Sequence, residues 1–221
     1  MPAGAEITPL SLGFVNCFII KGADTLVVVD TGTPGHEQAI LDRVAALGFR
    51  PDQVALILII HAHSDHTGSL PALKQATGAR VAIHKGDAPY LAAGQSAEVV
   101  AQSWLGQVMK WMTRFAPQTQ VSVAPDIVID DEWDLRAFGV AGRVLSTPGH
   151  TAGSVSVLLD SGACLVGDLL AAWRKPGYPP FAQDRAALRD SIRRVIQSGA
   201  TVVYPSHGSA FPIDRIRGLV E

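Results

Sequence analysis

Four residues with metal-binding side chains fall within six consecutive positions, His61-Ala62-His63-Ser64-Asp65-His66. Imidazole nitrogens suit zinc and iron, and an added carboxylate oxygen suits a harder or water-bearing site. The segment follows residues 54–60 (VALILII), a short run without polar alternation. Such a run reads as a strand buried on both faces, which gives the cluster a rigid base. Where the extended geometry continues, His61 and His63 project to the same side as i and i+2. Asp65 and His66 come after a turn and reach a neighbouring spot. A single zinc takes about four ligands, and a catalytic one leaves a position for water. The chain holds more candidates than one ion can use: His150 in STPGHT (146–151), Asp168 in LVGD (165–168) and His207 in YPSHG (204–208). Each follows a strand-like run, where binding and catalytic residues gather.

Structural zinc sites are closed and mostly cysteine-rich. This set is built from His and Asp, and neither cysteine falls at a candidate position. Cys17 and Cys164 sit inside apolar runs (FVNCFII and ACLVGD), which suits buried, reduced thiols and a cytoplasmic location.

The elements that must position these residues are legible in outline. Residues 13–21 and 24–30 read as a strand hairpin. A helix follows Pro34-Gly35, with Ile40, Leu41, Val44, Ala45 and Leu47 as its apolar stripe and Gly48 as its stop. Residues 69–77 read as a helix, 80–83 as a strand, and 88–115 as mostly helical. In the second half, strands are expected at 127–129, 133–138, 142–146, 154–159, 163–166 and 201–204, with an amphipathic helix at 184–197. Both halves are strand-rich with a helix outside. That pattern predicts two sheets face to face with helices outside both, an αββα sandwich of α/β class. With 221 residues and no Pro/Gly/Ser tract marking a boundary, the expectation is a single domain over 1–221, with a helical insert at about 88–116.

Composition excludes several classes. A hydrophobic share of 48% and a net charge of −2 are those of a folded chain, not a disordered one. With 18 Lys+Arg against 20 Asp+Glu, no nucleic-acid surface is implied. The longest apolar run, 54–60, is far below the ~20 residues of a membrane span. The first residues lack the basic start and apolar core of an export signal.

The order HAHSDH, PGHT, GD and SHG, preceded by Asp30 in VVVDTG, resembles the metallo-β-lactamase-fold hydrolase superfamily, in its glyoxalase II and lactonase-like branch. The match runs from about residue 13 to 210. The resemblance implies an αββα sandwich with two divalent metal ions at one sheet edge. Zinc is the first expectation, and iron or manganese also fits the ligands. His61, His63 and His150 would hold the first ion, and Asp65, His66 and His207 the second. Asp168 would bridge them together with a water or hydroxide, and Asp30 would support a ligand histidine. The implied activity is hydrolysis: the hydroxide attacks an ester, thioester or lactone carbonyl, and Asp65 orients it and passes a proton to the leaving group. His36 and His84 match nothing in the pattern and read as surface or helix-end residues.

Departures from the family pattern narrow the substrate. The chain ends about a dozen residues after His207, where glyoxalase II continues into a helical region that helps hold glutathione. A common β-lactamase subclass has cysteine where Asp168 falls. The best-known lactonases carry tyrosine soon after the bridging Asp, and here Leu169, Leu170 and Ala171 follow. The expected substrate wall is the 88–116 insert with the 173–181 loop (WRKPGYPPF): Trp104, Met109, Met112, Trp173, Tyr178 and Phe181, with Arg174 available to an anionic group. The substrate is expected to be a small molecule with an apolar portion. The insert's apolar face also suits a homodimer contact. The alternative function is an iron-dependent sulfur dioxygenase of the same fold, with β-lactamase and nuclease activities less favoured.

Overall fold

The computed structural model describes residues 5–112 and 121–220. Its first sheet has the order β1 (Glu6–Leu12), β2 (Val15–Lys21), β3 (Leu26–Val29), β4 (Val54–Leu58), β5 (Arg80–His84) and β6 (Ile127–Ile129). The β1–β2 and β2–β3 pairs are antiparallel and the remaining three are parallel. The second sheet runs in the order β12 (Phe211–Pro212), β11 (Val202–Gly208), β10 (Ala163–Ala172), β9 (Val155–Leu159), β8 (Gly142–Ser146) and β7 (Trp133–Asp134). There only β10 and β11 are parallel.

Alternation along the central strands explains the layering. Leu26, Val28, Ile57 and Ile59 point to one side of the first sheet. They pack with Ile40 and Val44 of α1 (Glu37–Ala46) and with Leu70 and Leu73 of α3 (Leu70–Thr77). Val27, Val29, Leu56, Leu58 and Ile60 point to the other side and meet Leu135, Val144, Val157 and Leu165 of the second half. On the far side of the second sheet, Leu158, Cys164 and Val166 pack with Leu188, Ile192 and Val195 of α6 (Arg185–Gln197). Three cores thus separate four layers, helix, sheet, sheet and helix, and the αββα sandwich expected from the sequence is the observed fold. Strands covered on both faces carry continuous apolar runs, as in β4. The helix α6 is capped at its start by Asp184, whose Oδ1 accepts from Ala186 N and Ala187 N.

Several boundaries differ from expectation. The N-terminal strand β1 was not anticipated. The strand expected at 163–166 continues to Ala172, through two register irregularities against β11, at Leu165/Gly167 and Gly167/Ala171. Asp168 therefore projects from a bulged strand and not from a strand end. The 133–138 strand is cut to Trp133–Asp134 because Arg136–Phe138 forms a 3-10 turn. The long helical expectation divides into α4 (Ala88–Ala93) and α5 (Trp104–Met112). Gly94, in the left-handed conformation at φ 65°, ends α4. Phe115 and the end of the 88–116 segment lie outside the described residues. No helix among the described residues is long and apolar enough to cross a membrane.

Candidate metal centre

The polypeptide leaves β4 through Ile59 and Ile60, and His61, Ala62 and His63 follow before the short helix α2 (Ser64–Thr67). His61 and His66 are fully buried, and His63 nearly so. His150 arrives from the turn after β8, Asp168 from the bulge of β10, and His207 from within β11. Donor atoms of His61, His63 and His150 lie within 4.8 Å of one another, as do those of Asp65, His66 and His207, and those of His61, His66 and Asp168.

The first triad is tight. His63 Nδ1 lies 3.0 Å from His61 Nε2 and 3.1 Å from His150 Nε2. Two nitrogens bound at ~2.0–2.1 Å to one tetrahedral ion would be about 3.3 Å apart, so these spacings fit a shared cation. Asp168 spans the two triads. Its Oδ2 lies 3.5 Å from His150 Nε2 and 3.3 Å from His207 Nε2, and its Oδ1 lies 3.6 Å from His66 Nε2. Asp65 Oδ2 lies 3.4 Å from His207 Nε2 and 3.8 Å from His66 Nε2. His66 Nε2 and Asp168 Oδ1 are buried and have no hydrogen-bond partner in the protein. Buried polar atoms of this kind need a partner, and a cation between them would supply it.

Outer contacts choose which ring nitrogen each histidine presents. His66 Nδ1 donates to Asp30 Oδ2 at 2.8 Å, His150 Nδ1 to the Phe181 carbonyl at 2.9 Å, and His207 Nδ1 to the Phe14 carbonyl at 2.9 Å. Each of these rings therefore turns Nε2 into the cluster. Asp30 is itself fully buried, sits at φ 60°, and accepts from Ile60 N at 2.9 Å. A left-handed non-glycine residue beside the cluster is strain retained at a functional position. Thr31 adds two donors, its N and Oγ1, to the His66 carbonyl at 2.8 and 2.9 Å.

The charges divide the histidines into two kinds. Burial, reinforced by the neighbouring imidazoles, lowers His61 well below its usual range and His63 to about 3. His150 is also lowered, chiefly by burial. Burial opposes a charge on His66 too, but Asp30 and Asp65 outweigh it and raise the group to about 9. For His207 burial is likewise overcome, by Asp168 and then Asp65, and the value rises to about 11. Asp65 falls to about 2 because His66 and His207 outweigh its burial, and Asp168 falls well below its usual range because His207, His150 and His66 outweigh its burial. Burial pushes Asp30 up, with His66 opposing.

The sequence profile of the metallo-beta-lactamase superfamily matches residues 10–207. The chain belongs to this superfamily. A hydroxyacylglutathione hydrolase of Anaeromyxobacter dehalogenans is 30% identical over 197 residues, covering 88% of this chain and 62% of its own length. A metallo-beta-lactamase fold-containing protein of Sulfurisphaera tokodaii is 26% identical over 216 residues, covering 94% of this chain and 77% of its own. Among solved structures, the B3 metallo-beta-lactamase BLEG-1 superposes with a TM-score of 0.73 at 21% identity, covering 97% of this chain and 96% of its own. That likeness bears on the fold alone. The chain spans less than two thirds of the hydroxyacylglutathione hydrolase, so that enzyme's substrate does not transfer directly to this metallo-β-lactamase-fold protein.

The expected substrate wall is only partly assembled around the superfamily's metal cleft. Trp173 is 56% exposed, and its ring centroid lies 5.8 Å from that of His207. Phe14, which sequence reasoning missed, also stacks on His207 at 5.8 Å, nearly parallel and 64% exposed. Its position at the β1–β2 turn gave no sequence signal, because nothing local says that this hairpin reaches β11. Phe181 contributes its backbone: its carbonyl holds His150, and it pairs with Ala101. Trp104, Met109 and Met112 lie on α5, which packs on the 180–181 segment through Gly106, where a Cβ would meet the Pro180 carbonyl at 2.7 Å. Trp104 and Met112 are exposed. Tyr178 is not at the cleft. It joins the outer core of the second sheet, and its hydroxyl donates to the Leu219 carbonyl. Arg174 is exposed. His84, expected at the surface, is buried, with its Nε2 donating to the Asp130 carbonyl at 2.7 Å.

Proposed function

We propose that the protein is a dinuclear metal-dependent hydrolase that attacks the carbonyl of an ester, thioester or lactone carrying an apolar portion. One observation carries the reading: two triads of His/Asp donors joined by Asp168, built from seven side chains on four separate segments. The kinship with a hydroxyacylglutathione hydrolase supports acyl chemistry over lactam chemistry. His61, His63 and His150 would hold one cation, and Asp65, His66 and His207 the other, with Asp168 shared.

Two divalent cations in this set, zinc first among the candidates, would polarise a carbonyl oxygen and ionise water near neutral pH. The polypeptide's own contribution is arrangement and charge. His61, His63 and His150 are kept neutral by burial, so their lone pairs are available. Asp30, Phe181 and Phe14 fix the rings of His66, His150 and His207. Asp65 is ionised at neutral pH. Its Oδ2 reaches His207 and His66, and its other oxygen is the acceptor that would take a proton and deliver it to the leaving group. Phe14 and Trp173 both lie against the His207 ring and offer apolar faces to the acyl or lactone part of a substrate.

Purification without added metal, elemental analysis, and a panel of thioesters, lactones, a β-lactam and a phosphodiester test the proposal. The expected result is two metals per chain and turnover of carbonyl substrates that a chelator abolishes. One iron per chain with oxygen uptake would replace this reading with the dioxygenase one.

A further inference from the structure

Two carboxylates among the described residues have no exposed surface, Asp30 and Asp87. Asp30 supports His66. Asp87 lies outside every donor group of the metal cluster. It stands at the boundary of α4, where an aspartate ordinarily accepts from the first turn of its own helix. Its side chain makes no such bond. Instead Oδ2 accepts from Ala62 N at 2.8 Å and from Thr151 Oγ1 at 2.8 Å, and Oδ1 accepts from Gly153 N at 3.0 Å. Ala62 is the residue between His61 and His63, and Thr151 directly follows His150. One carboxylate therefore ties together the two segments that supply the first triad, which are remote in sequence.

The approach is enforced by glycine. A Cβ on Gly153 would lie 2.4 Å from Asp87 N and 2.5 Å from its Oδ1, and a Cβ on Gly86 would lie 2.8 Å from the Ala152 backbone. Neither glycine tolerates a side chain without parting the Gly86-Asp87 segment from the one that follows His150. Thr151 is itself oriented, with its Oγ1 2.8 Å from Ser154 Oγ.

We infer that Asp87 is a positioning residue that sets the spacing of His61 and His63 against His150, and with it the cation affinity of that triad alone. The inference rests on the proposed metal centre. Asp87 bonds none of Asp65, His66, Asp168 and His207; its one bond to the 61–66 segment is at Ala62 N, and His66 is held separately by Asp30 and Thr31, so the second triad keeps its own support.

Cobalt(II) titration of metal-free protein against a chromophoric chelator tests this, with each triad isolated in turn. In a His207→Ala background, where the first triad remains, Asp87→Ala should weaken cobalt binding about 10–100-fold. In a His150→Ala background, where the second triad remains, the same change should alter binding by less than about two-fold. Thr151→Val, which removes one donor and leaves the carboxylate in place, should reproduce the selectivity at smaller size. It serves if Asp87→Ala does not fold. Equal losses in both backgrounds, or none in either, overturn the inference. A chain that takes up no cobalt with Asp87 intact would sink the metal centre and the inference with it. Normal uptake with unselective losses would sink the inference alone.

Discussion

At the residue scale, the histidines of the cluster carry different numbers of protons before any cation arrives. His61, His63 and His150 are already neutral at pH 7, because burial disfavours their charge. His66, near 9, and His207, near 11, are charged. A ligand nitrogen must be unprotonated. Loading both triads at pH 7 should therefore release about two protons from His66 and His207, and one more to the extent that the cations ionise a water. Calorimetry in buffers of different ionisation enthalpy counts them, and release near zero would contradict the charge assignment. Acidification below pH 7 should weaken the second triad first, since its histidines hold their protons most firmly. Asp65 is the other residue with a separable role. Asp65→Ala removes both a donor of the second triad and the proposed proton carrier. Turnover should fall by about 10²–10⁴, with the metal content dropping toward one per chain. Full activity in that variant would refute the assignment.

At the element scale, the site depends on a strand that sequence reading divides too early. The strand expected at 163–166 stops short of Gly167-Asp168, yet β10 passes through both. Gly167 takes φ 56°, and a Cβ there would meet Ile60 Cγ2 at 2.4 Å. The bulge lets the second sheet touch the residue that precedes His61, and it aims Asp168 between the triads. Gly167→Ala should destabilise the fold by about 1–3 kcal/mol and lower metal occupancy. Urea unfolding of the metal-free chain separates the first effect from the second, and an unchanged midpoint would remove the packing argument. The central strands were legible because burial on both faces writes an unbroken apolar run. The strand β1 was not, because Pro9 argues against a strand except at an edge, and β1 is the edge. The metal-type residues were legible because His and Asp at HAHSDH have few other reasons to cluster. Asp87 and Phe14 were not. Their partners are backbone groups and rings remote in sequence, and Asp87 reads locally as a helix cap.

At the scale of the whole molecule, the layers separate what the sequence places in similar runs. Cys17 belongs to the core outside the first sheet and Cys164 to the core outside the second. Both are free, and burial pushes the Cys164 thiol up to about 12. Neither should react with a thiol reagent until the chain unfolds. The cluster, by contrast, lies where segments from both sheets meet, so its protonation is linked to global stability. In the metal-free chain, His66 and His207 have raised values. Their contribution is fully present below the unfolded value of about 6.5 and is lost as pH rises through about 9 and then about 11. His61, His63 and His150 act in the opposite sense: the unfolded chain binds their protons more readily, so stability falls as pH drops below about 6.5. Asp65 adds to that acid loss between its usual range and about 2. Cations in both triads leave all five histidines unprotonated in the folded state, so the alkaline loss disappears while the acid loss steepens. Thermal melting from pH 5 to 10 should give a maximum near neutrality for chelated protein. For the loaded protein it should give a curve that rises to about pH 7 and stays level to about pH 9, above which the buried thiols lower both curves alike. Parallel curves for the two forms would mean that the cations do not displace protons from His66 and His207, and the two-triad centre would have to be given up.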